Sequence, residues 1–510
     1  MRARLAALAL CLAPMTALAQ ETAPVLDDPY TWMEEIEGER ALAWARAENA
    51  ASLPRLQKDP RYSAFEAEAK AILTATDRIA NPGFHRSEID NFWQDQTHVR
   101  GVWRRTTLES YRTASPQWKT VLDIDALAKA EKANWVYSGS ACLMPEDRLC
   151  VVGLSDGGKD AEIVREFDAD AGKFVEGGFT LPEGKHRYSW VDKDTLIVAT
   201  DWTPGEVTTS GYPYIVKLVK RGQPLSAARE VFRGKAEDGG YGVSPAVLRD
   251  PDGAVQAILV HRPLDTFRGE YHLITDKGPV KLDLPGRTYL QAYVAGRVLF
   301  TLQEDWTGTN FKAGDLIDFD LAALKRDPAA ARPQLVLRPT DRQAIESLTA
   351  TRNTLVVALY EDVKGQALVF RRDGDGWVHD PLELPKNSSV RLGGASSEDD
   401  RLFIYTNSYL EPDVLWLADG SSGKVEKLKT LPARFDAKGL AVDQFEATSS
   451  DGEKIPYFVV RRKDVKYDGS NPTLLYAYGG FEVSQTPSYS GTVGKLWLER
   501  GGVYVVANIR

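Results

Sequence analysis

One string in the sequence has the form of a nucleophile elbow: Gly153-Leu154-Ser155-Asp156-Gly157-Gly158. A serine on a sharp strand-to-helix turn of that kind performs acyl transfer, attacking a carbonyl carbon once a histidine takes its proton. The surroundings argue against that chemistry. The string runs into the short β-like segment Ala161 to Phe167, then the turn Asp168-Ala169-Asp170-Ala171-Gly172, where an elbow needs a helix. The six histidines (85, 98, 186, 261, 272 and 379) lie in the same β-rich stretch, none in a recognisable triad context. Ser155 is therefore read as part of a hairpin tip. Cys142 and Cys150 flank the turn-like Pro145-Glu146-Asp147-Arg148. They are placed to face each other across a hairpin, either as a disulfide, which an oxidising compartment allows, or as two reduced, half-buried thiols. No second Cys or His pair lies nearby, so zinc is not indicated. Asp168-x-Asp170-x-Gly172 has Gly where a calcium loop carries Asp or Asn, and it lacks the bidentate Glu at the twelfth position. No metal or cofactor site is expected.

The elements that must position any such residues come next. Of 510 residues, 43% are hydrophobic and 26% charged, an ordinary globular balance that excludes wholesale disorder. The length favours two or three domains. A net charge of −9 leaves nothing basic enough to follow a phosphate backbone, so nucleic acid is not an expected partner. Residues 1–19 read as a signal peptide: Arg2 and Arg4, the apolar run Leu5 to Leu12, then Ala17-Leu18-Ala19 before Gln20. The apolar run is too short to span a bilayer. The mature chain is expected to be periplasmic or secreted, with no membrane contact once the signal is cleaved.

Residues 20–83 read as a helical segment. Asp28-Pro29 and Asp59-Pro60 resemble N-caps followed by proline at the first helical position. Glu39 to Leu53 is rich in Ala, Glu and Arg, and Phe65, Ala69, Ile72 and Leu73 fall on one helical face. From 84 to 440 helical periodicity nearly vanishes. Seven segments repeat an apolar strand, a polar turn and a second apolar strand, starting near Asn91, Arg148, Thr195, Val255, Arg297, Thr354 and Leu402. A period of about 50 residues with four strands per unit marks a propeller. Seven units fit a closed ring without exposed sheet edges. A β-sandwich or two barrels are the other architectures that this pattern allows.

Residues 441–510 change character again. Phe445 to Val460 reads as a hairpin with Ser450-Asp451-Gly452 at its tip. Thr473 to Tyr478 is a continuous apolar strand ending at Gly479-Gly480. Lys495 to Arg500 reads as the tail of a helix stopped by Gly501, and Gly502 to Ala507 as another apolar strand. Strand, helix and strand, with both strands apolar throughout, open a parallel sheet. Two such strands and one helix cannot cover both sheet faces, so the stretch is expected to be the incomplete start of an α/β domain that continues beyond Arg510.

Helices, a seven-unit propeller and an α/β start, in that order, resemble the prolyl oligopeptidase family of serine peptidases. The matching residues are Asp28-Pro29-Tyr30-x-Trp32-Met33-Glu34-Glu35, Pro472 to Phe481 (PTLLYAYGGF) and Trp497 to Arg510. The resemblance implies a mainly β fold: an N-terminal helical segment packed on the hydrolase domain, a seven-bladed β-propeller, and the incomplete start of an α/β-hydrolase domain. It implies hydrolysis of short peptides, typically after proline, with the propeller limiting access. It also implies that Tyr478, the second Tyr of the family's Tyr-x-Tyr-Gly-Gly-Phe strand end, donates to an oxyanion hole. The residues alone favour a packed core aromatic at that position. The family's Ser, Asp and His fall after the end of this chain, so the 510 residues are expected to be inactive by themselves. The alternative from a different class is a propeller that binds peptides or a protein partner without chemistry. Reading the coding frame past Arg510 separates the two: an elbow Ser followed by Asp and His identifies the enzyme.

Overall fold

The computed structural model describes residues 28–35, 37–480 and 483–509; the expected signal segment, Phe481, Glu482 and Arg510 lie outside them. The chain divides into two compact units, residues 1–69 and 70–510. In the first, a short 3-10 turn (Thr31–Glu34) precedes the helix Glu39–Gln57; a second helix, Tyr62–Leu73, runs across the boundary between the units. The two Asp-Pro pairs lie two or three residues ahead of the first helical residues, Thr31 and Tyr62. Asp28 accepts from the Tyr30 N–H at 2.8 Å and Asp59 from the Arg61 N–H at 2.9 Å, local turns that place the helix starts further on.

The second unit begins with seven consecutive sheets, each built from one unbroken stretch of chain with its strands in sequential order, except that the fifth strand of the second sheet pairs with its third. The first starts at Gly83 and the seventh ends at Thr430. Six have four strands and the second has five, all antiparallel. Each of the seven repeat starts read from sequence falls in, or one residue before, the second strand of a sheet. These strands are buried on both faces: Thr195–Ala199 and Arg297–Leu302 are buried throughout. Adjacent residues of one such strand point to opposite neighbours. Val356 and Ala358 pack toward the seventh sheet, with Leu402 and Ile404, whereas Val357 and Leu359 pack toward the fifth, with Leu299 and Leu316.

The same packing joins every sheet to the next. Trp103 meets Phe167 between the first and second, and Phe179 meets Trp190 between the second and third. Tyr271 meets Phe300 between the fourth and fifth. The seventh sheet packs back on the first, with Phe403 stacked on Phe84 at 4.6 Å. Tyr111, Ile89 and Leu415 complete that cluster. No hydrogen-bonded sheet closes on itself among the described residues, so side chains rather than shared strands join first to last. The architecture is mainly β and propeller-like.

Buried polar pairs reinforce these interfaces. Asp318, 0% exposed on the fifth sheet, accepts from Arg297 Nη2 at 2.5 Å and Nε at 3.1 Å, and from Trp377 Nε1 of the sixth at 2.6 Å. Removing one partner of a buried pair strands the other charge. Asp318→Ala should therefore cost about 3–5 kcal/mol of stability, checked by urea unfolding followed through tryptophan fluorescence; a loss below about 1 kcal/mol would show the pair to be dispensable.

Candidate functional site

An eighth sheet follows the seven, and it is mixed. Its order is Leu440–Thr448, Lys454–Arg462, Val503–Ala507, Thr473–Ala477. The first two strands form the expected hairpin and pair antiparallel with Val503–Ala507, which pairs parallel with Thr473–Ala477. The sheet is therefore not purely parallel: the hairpin sits in it as an antiparallel edge. The crossover between the parallel strands is less regular than expected. A single helical turn, Gly491–Val493, passes into a π-turn, Gly494–Leu498, in place of a longer α-helix tail. The crossover is closely packed. A Cβ on Gly494 would fall 1.9 Å from the Phe435 ring, and one on Gly502 would lie 2.4 Å from the Trp497 ring. Trp497 Nε1 then donates to the Val503 carbonyl at 2.8 Å, seating the crossover against its own strand.

The carboxyl ends of the two parallel strands lie side by side, with Ala477 opposite Ala507. Asn508, just past one strand, ties down the segment that follows the other. Its Oδ1 accepts from the Gln485 N–H at 2.6 Å, and its Nδ2 donates to the Gln485 carbonyl at 3.1 Å. Tyr478 leaves its strand at this end and is 41% exposed. Its hydroxyl folds over the Gly479-Gly480 turn, where a Cβ on Gly480 would lie 2.8 Å from the phenol oxygen. The carboxyl end of a parallel strand is where open α/β sheets bind ligands. A phenol O–H there can donate to an oxygen that gains negative charge.

The other sequence candidates lie elsewhere. Ser155 closes the second strand of the second sheet, opposite Val136; it is 2% exposed and its hydroxyl donates to the Lys159 carbonyl at 2.8 Å. Cys142 and Cys150 face each other on adjacent strands and are joined by a disulfide. Asp168 Oδ1 accepts from the N–H groups of Asp170 and Ala171, which makes that acidic string a turn. Among the described residues no cluster of three His, Cys, Asp or Glu is arranged to hold a metal ion.

The histidines belong to the packed sheets. His186 bonds Thr200 Oγ1 and the Pro182 carbonyl, both at 2.8 Å. His261 lies against Tyr271, and His272 lies against Phe232 with Glu270 at 3.4 Å. His98 contacts Asp95, and His379 packs on Phe370. His85, 3% exposed, sits 3.6 Å from Asp90, which also accepts from Arg105 and Trp103. This His85–Asp90–Arg105 network carries no signal in the sequence. It arises because the hairpin register sets Gly83 opposite Asp90 and Asp90 opposite Arg105.

Comparison with known proteins accounts for this order of sheets. The model of the prolyl oligopeptidase N-terminal β-propeller domain matches residues 17–430, ending at the last residue of the seventh sheet. The chain belongs to the prolyl oligopeptidase family. An uncharacterized peptidase of Sinorhizobium fredii, y4nA, is 49% identical over 491 residues, which cover 95% of this chain and 67% of that relative. A prolyl endopeptidase of Elizabethkingia meningoseptica is 36% identical over 143 residues, 28% of this chain and 20% of that protein. Among solved structures, a post-proline cleaving enzyme from Rickettsia typhi superposes with a TM-score of 0.83 at 28% identity, over 94% of this chain and 71% of that one. Peptidase chemistry and a propeller of prolyl oligopeptidase type are thus family properties of this chain.

In this member of the prolyl oligopeptidase family, the propeller histidines affect stability. Burial holds the His85 imidazole down at about 4, against an ordinary 6.5, and burial also lowers His186, His261 and His272. Below pH 6.5 the unfolded chain takes up protons that the folded protein refuses, so stability falls with pH until the folded-state value is passed. Asp147, pushed up to about 6 by burial, works the other way: the folded state takes its proton first, gaining stability as pH falls from about 6 to 3.8. Burial raises Glu162 and Glu346 as well, in the same direction as Asp147. Their ordinary value of 4.5 lies further from this range than the imidazole 6.5, so the four imidazoles dominate: the melting temperature should drop between about pH 7.5 and about pH 5.5, and His85→Gln should drop less. Equal drops in the two proteins would remove His85 from this account.

Proposed function

We propose that the chain serves an exported serine endopeptidase that cleaves short peptides after proline. In this reading the seven sheets are the blades of a seven-bladed propeller, and the mixed sheet at 440–507 opens the α/β-hydrolase domain. The observation that carries it is the parallel pair Thr473–Ala477 and Val503–Ala507, with Tyr478-Gly479-Gly480 at its carboxyl end. A substrate carbonyl placed there would meet the Tyr478 hydroxyl as negative charge develops on its oxygen. One such donor contributes roughly 2.7–4 kcal/mol to the transition state. Preference for proline is supported by the post-proline cleaving enzyme from Rickettsia typhi. Export is supported by the leader-like residues 1–19 and by the Cys142–Cys150 disulfide, a bond that persists in oxidising compartments.

The same reading makes the 510-residue chain inactive by itself. Ser155 is buried in a hairpin with its hydroxyl engaged by a carbonyl, and the hydrogen bonds described for the histidines reach no serine. The chain should release no chromophore from a Gly-Pro nitroanilide; turnover that disappears in Ser155→Ala would overturn this. In a catalytically competent full-length form, Tyr478→Phe should lower kcat by about 10² to 10³ with little change in KM. An unchanged kcat would leave Tyr478 a surface aromatic.

A further inference from the structure

A cavity of about 390 Å³ lies where the first two sheets meet, and no residue of the mixed sheet lines it. His85 and Cys142, the last residues of the first strands of those two sheets, border it. So does Asp147, in the turn that follows Cys142. Phe92 and Tyr137, stacked with ring centroids 4.5 Å apart, form an aromatic wall, and both are partly exposed. The turn is held at its base. Cys142 is bonded to Cys150, and the Asp147 N–H donates to the Leu143 carbonyl at 2.9 Å.

The charges around this cavity do not cancel. Two arginines act on it, and each already holds a carboxylate: Arg105 pairs with Asp90 and Arg86 with Asp170. The neighbouring Arg148 and Arg401 pair with Asp168 and Asp399. His85 adds no charge near pH 7, because burial holds its imidazole down at about 4. Two carboxylates are left over, Asp147 and the exposed Glu398, whose charge acts on it. Among the described residues, neither side chain pairs with a cation, and Asp147 accepts no hydrogen bond. Asp147 is partly exposed, and neither of its carboxyl oxygens is sealed from solvent.

A carboxylate taken partly out of water loses hydration that a cation or a hydrogen-bond donor can replace. Burial pushes the Asp147 carboxyl up to about 6 even with Arg86 and Arg105 near. We propose that this cavity binds an organic ammonium group, with Asp147 as its counter-ion and the Phe92–Tyr137 pair as its apolar wall. An ammonium carries three donors and no acceptor, which suits a carboxylate that accepts nothing from the protein. Ser140 borders the same cavity; its Oγ accepts from the Tyr137 hydroxyl at 2.8 Å and keeps a second lone pair. The volume suits a small amine or the first residues of a peptide with a free amino terminus. Aromatic rings favour a cation with carbon attached over a fully hydrated one. A metal ion has too few ligands here, since no three His, Cys, Asp or Glu among the described residues are grouped to hold one. The inference stands whether or not the strand end that carries Tyr478 is catalytic.

Calorimetric titration of the 510-residue chain at pH 7 and low ionic strength tests it. The probes are butylammonium, Gly-Gly-Phe amide with a free amino terminus, and the same peptide amide acetylated at that terminus. Saturable binding of butylammonium or the free-amine peptide, with none of the acetylated peptide, is expected. The tighter of the two identifies a small amine or a peptide terminus as the ligand. Asp147 has a φ of 50°, a left-handed conformation that Asn also adopts, so Asp147→Asn keeps the turn and removes the charge. It should weaken binding about tenfold, as for loss of one charge-assisted hydrogen bond, without lowering the melting temperature. Asp375→Asn, on an exposed turn of the sixth sheet, should leave the affinity unchanged, which separates this site from general attraction of cations to a chain of net charge −9. Should Asp147→Asn unfold, Glu398→Gln should still weaken binding by about twofold through the loss of a neighbouring charge. No saturable binding of either amine, equal binding of the acetylated peptide, unchanged affinity in a folded Asp147→Asn, or, where that variant unfolds, unchanged affinity in Glu398→Gln would each overturn the site, as would an equal loss in Asp375→Asn.

Discussion

Everything in the larger unit depends on strands that are apolar on both faces. A sheet packed between two others must bury both sides, and its second strand is the one most enclosed. Val151 faces the third sheet while Val152 faces the first; Leu299 faces the sixth while Phe300 faces the fourth. Each such side chain contributes about 1.5–3 kcal/mol on burial. That sum, repeated at every interface, joins the first and seventh sheets through Phe84, Tyr111 and Phe403 without a strand exchanged between them. The outer strands can afford polar residues because only one side is covered: Gly376–Pro381 is exposed at most of its positions.

The mixed sheet obeys the same rule with a different outcome. Val503–Ala507 has partners on both sides and is partly buried, whereas Thr473–Ala477 pairs on one side only among the described residues, and Leu475 is 67% exposed. The sheet is anchored through Phe435, Leu440, Phe458, Val460 and Leu498, which pack with Tyr409 from the loop after the seventh sheet's second strand. Its exposed edge is also the strand that delivers Tyr478. The Gly-rich crossover packs closely against the sheet, and the Asn508–Gln485 pair of hydrogen bonds holds the two carboxyl ends together.

The polar chemistry of the propeller is mostly structural. Burial lowers the proton affinity of His85, His186, His261 and His272, and its most buried carboxylates bind arginines, as Asp318 does with Arg297 and Asp315 with Arg338 within the fifth sheet and Glu166 with Arg221 between the second and third. A Gly-x-Ser-x-Gly string in such a setting is a tight hairpin. Gly157 and Gly158 both adopt positive φ, which a turn needs and which the same residue types supply to a genuine elbow. The string alone does not separate the two; the strand pairing of Ser155 with Val136 does.

The sequence by itself determined the strand periodicity, the number of repeats, the parallel pair after residue 470 and the family resemblance, because these reside in short apolar runs whose spacing is local. Through that resemblance it also placed Tyr478 at the end of a parallel strand, where the structure has it. Tertiary structure alone decided which faces meet. The Cys142–Cys150 bond and the His85–Asp90–Arg105 network depend on hairpin register, and the cavity walled by Phe92 and Tyr137 depends on strands of the first two sheets brought together. A one-residue change of register would send each of those side chains to the opposite face, and no linear pattern of residue types records that choice.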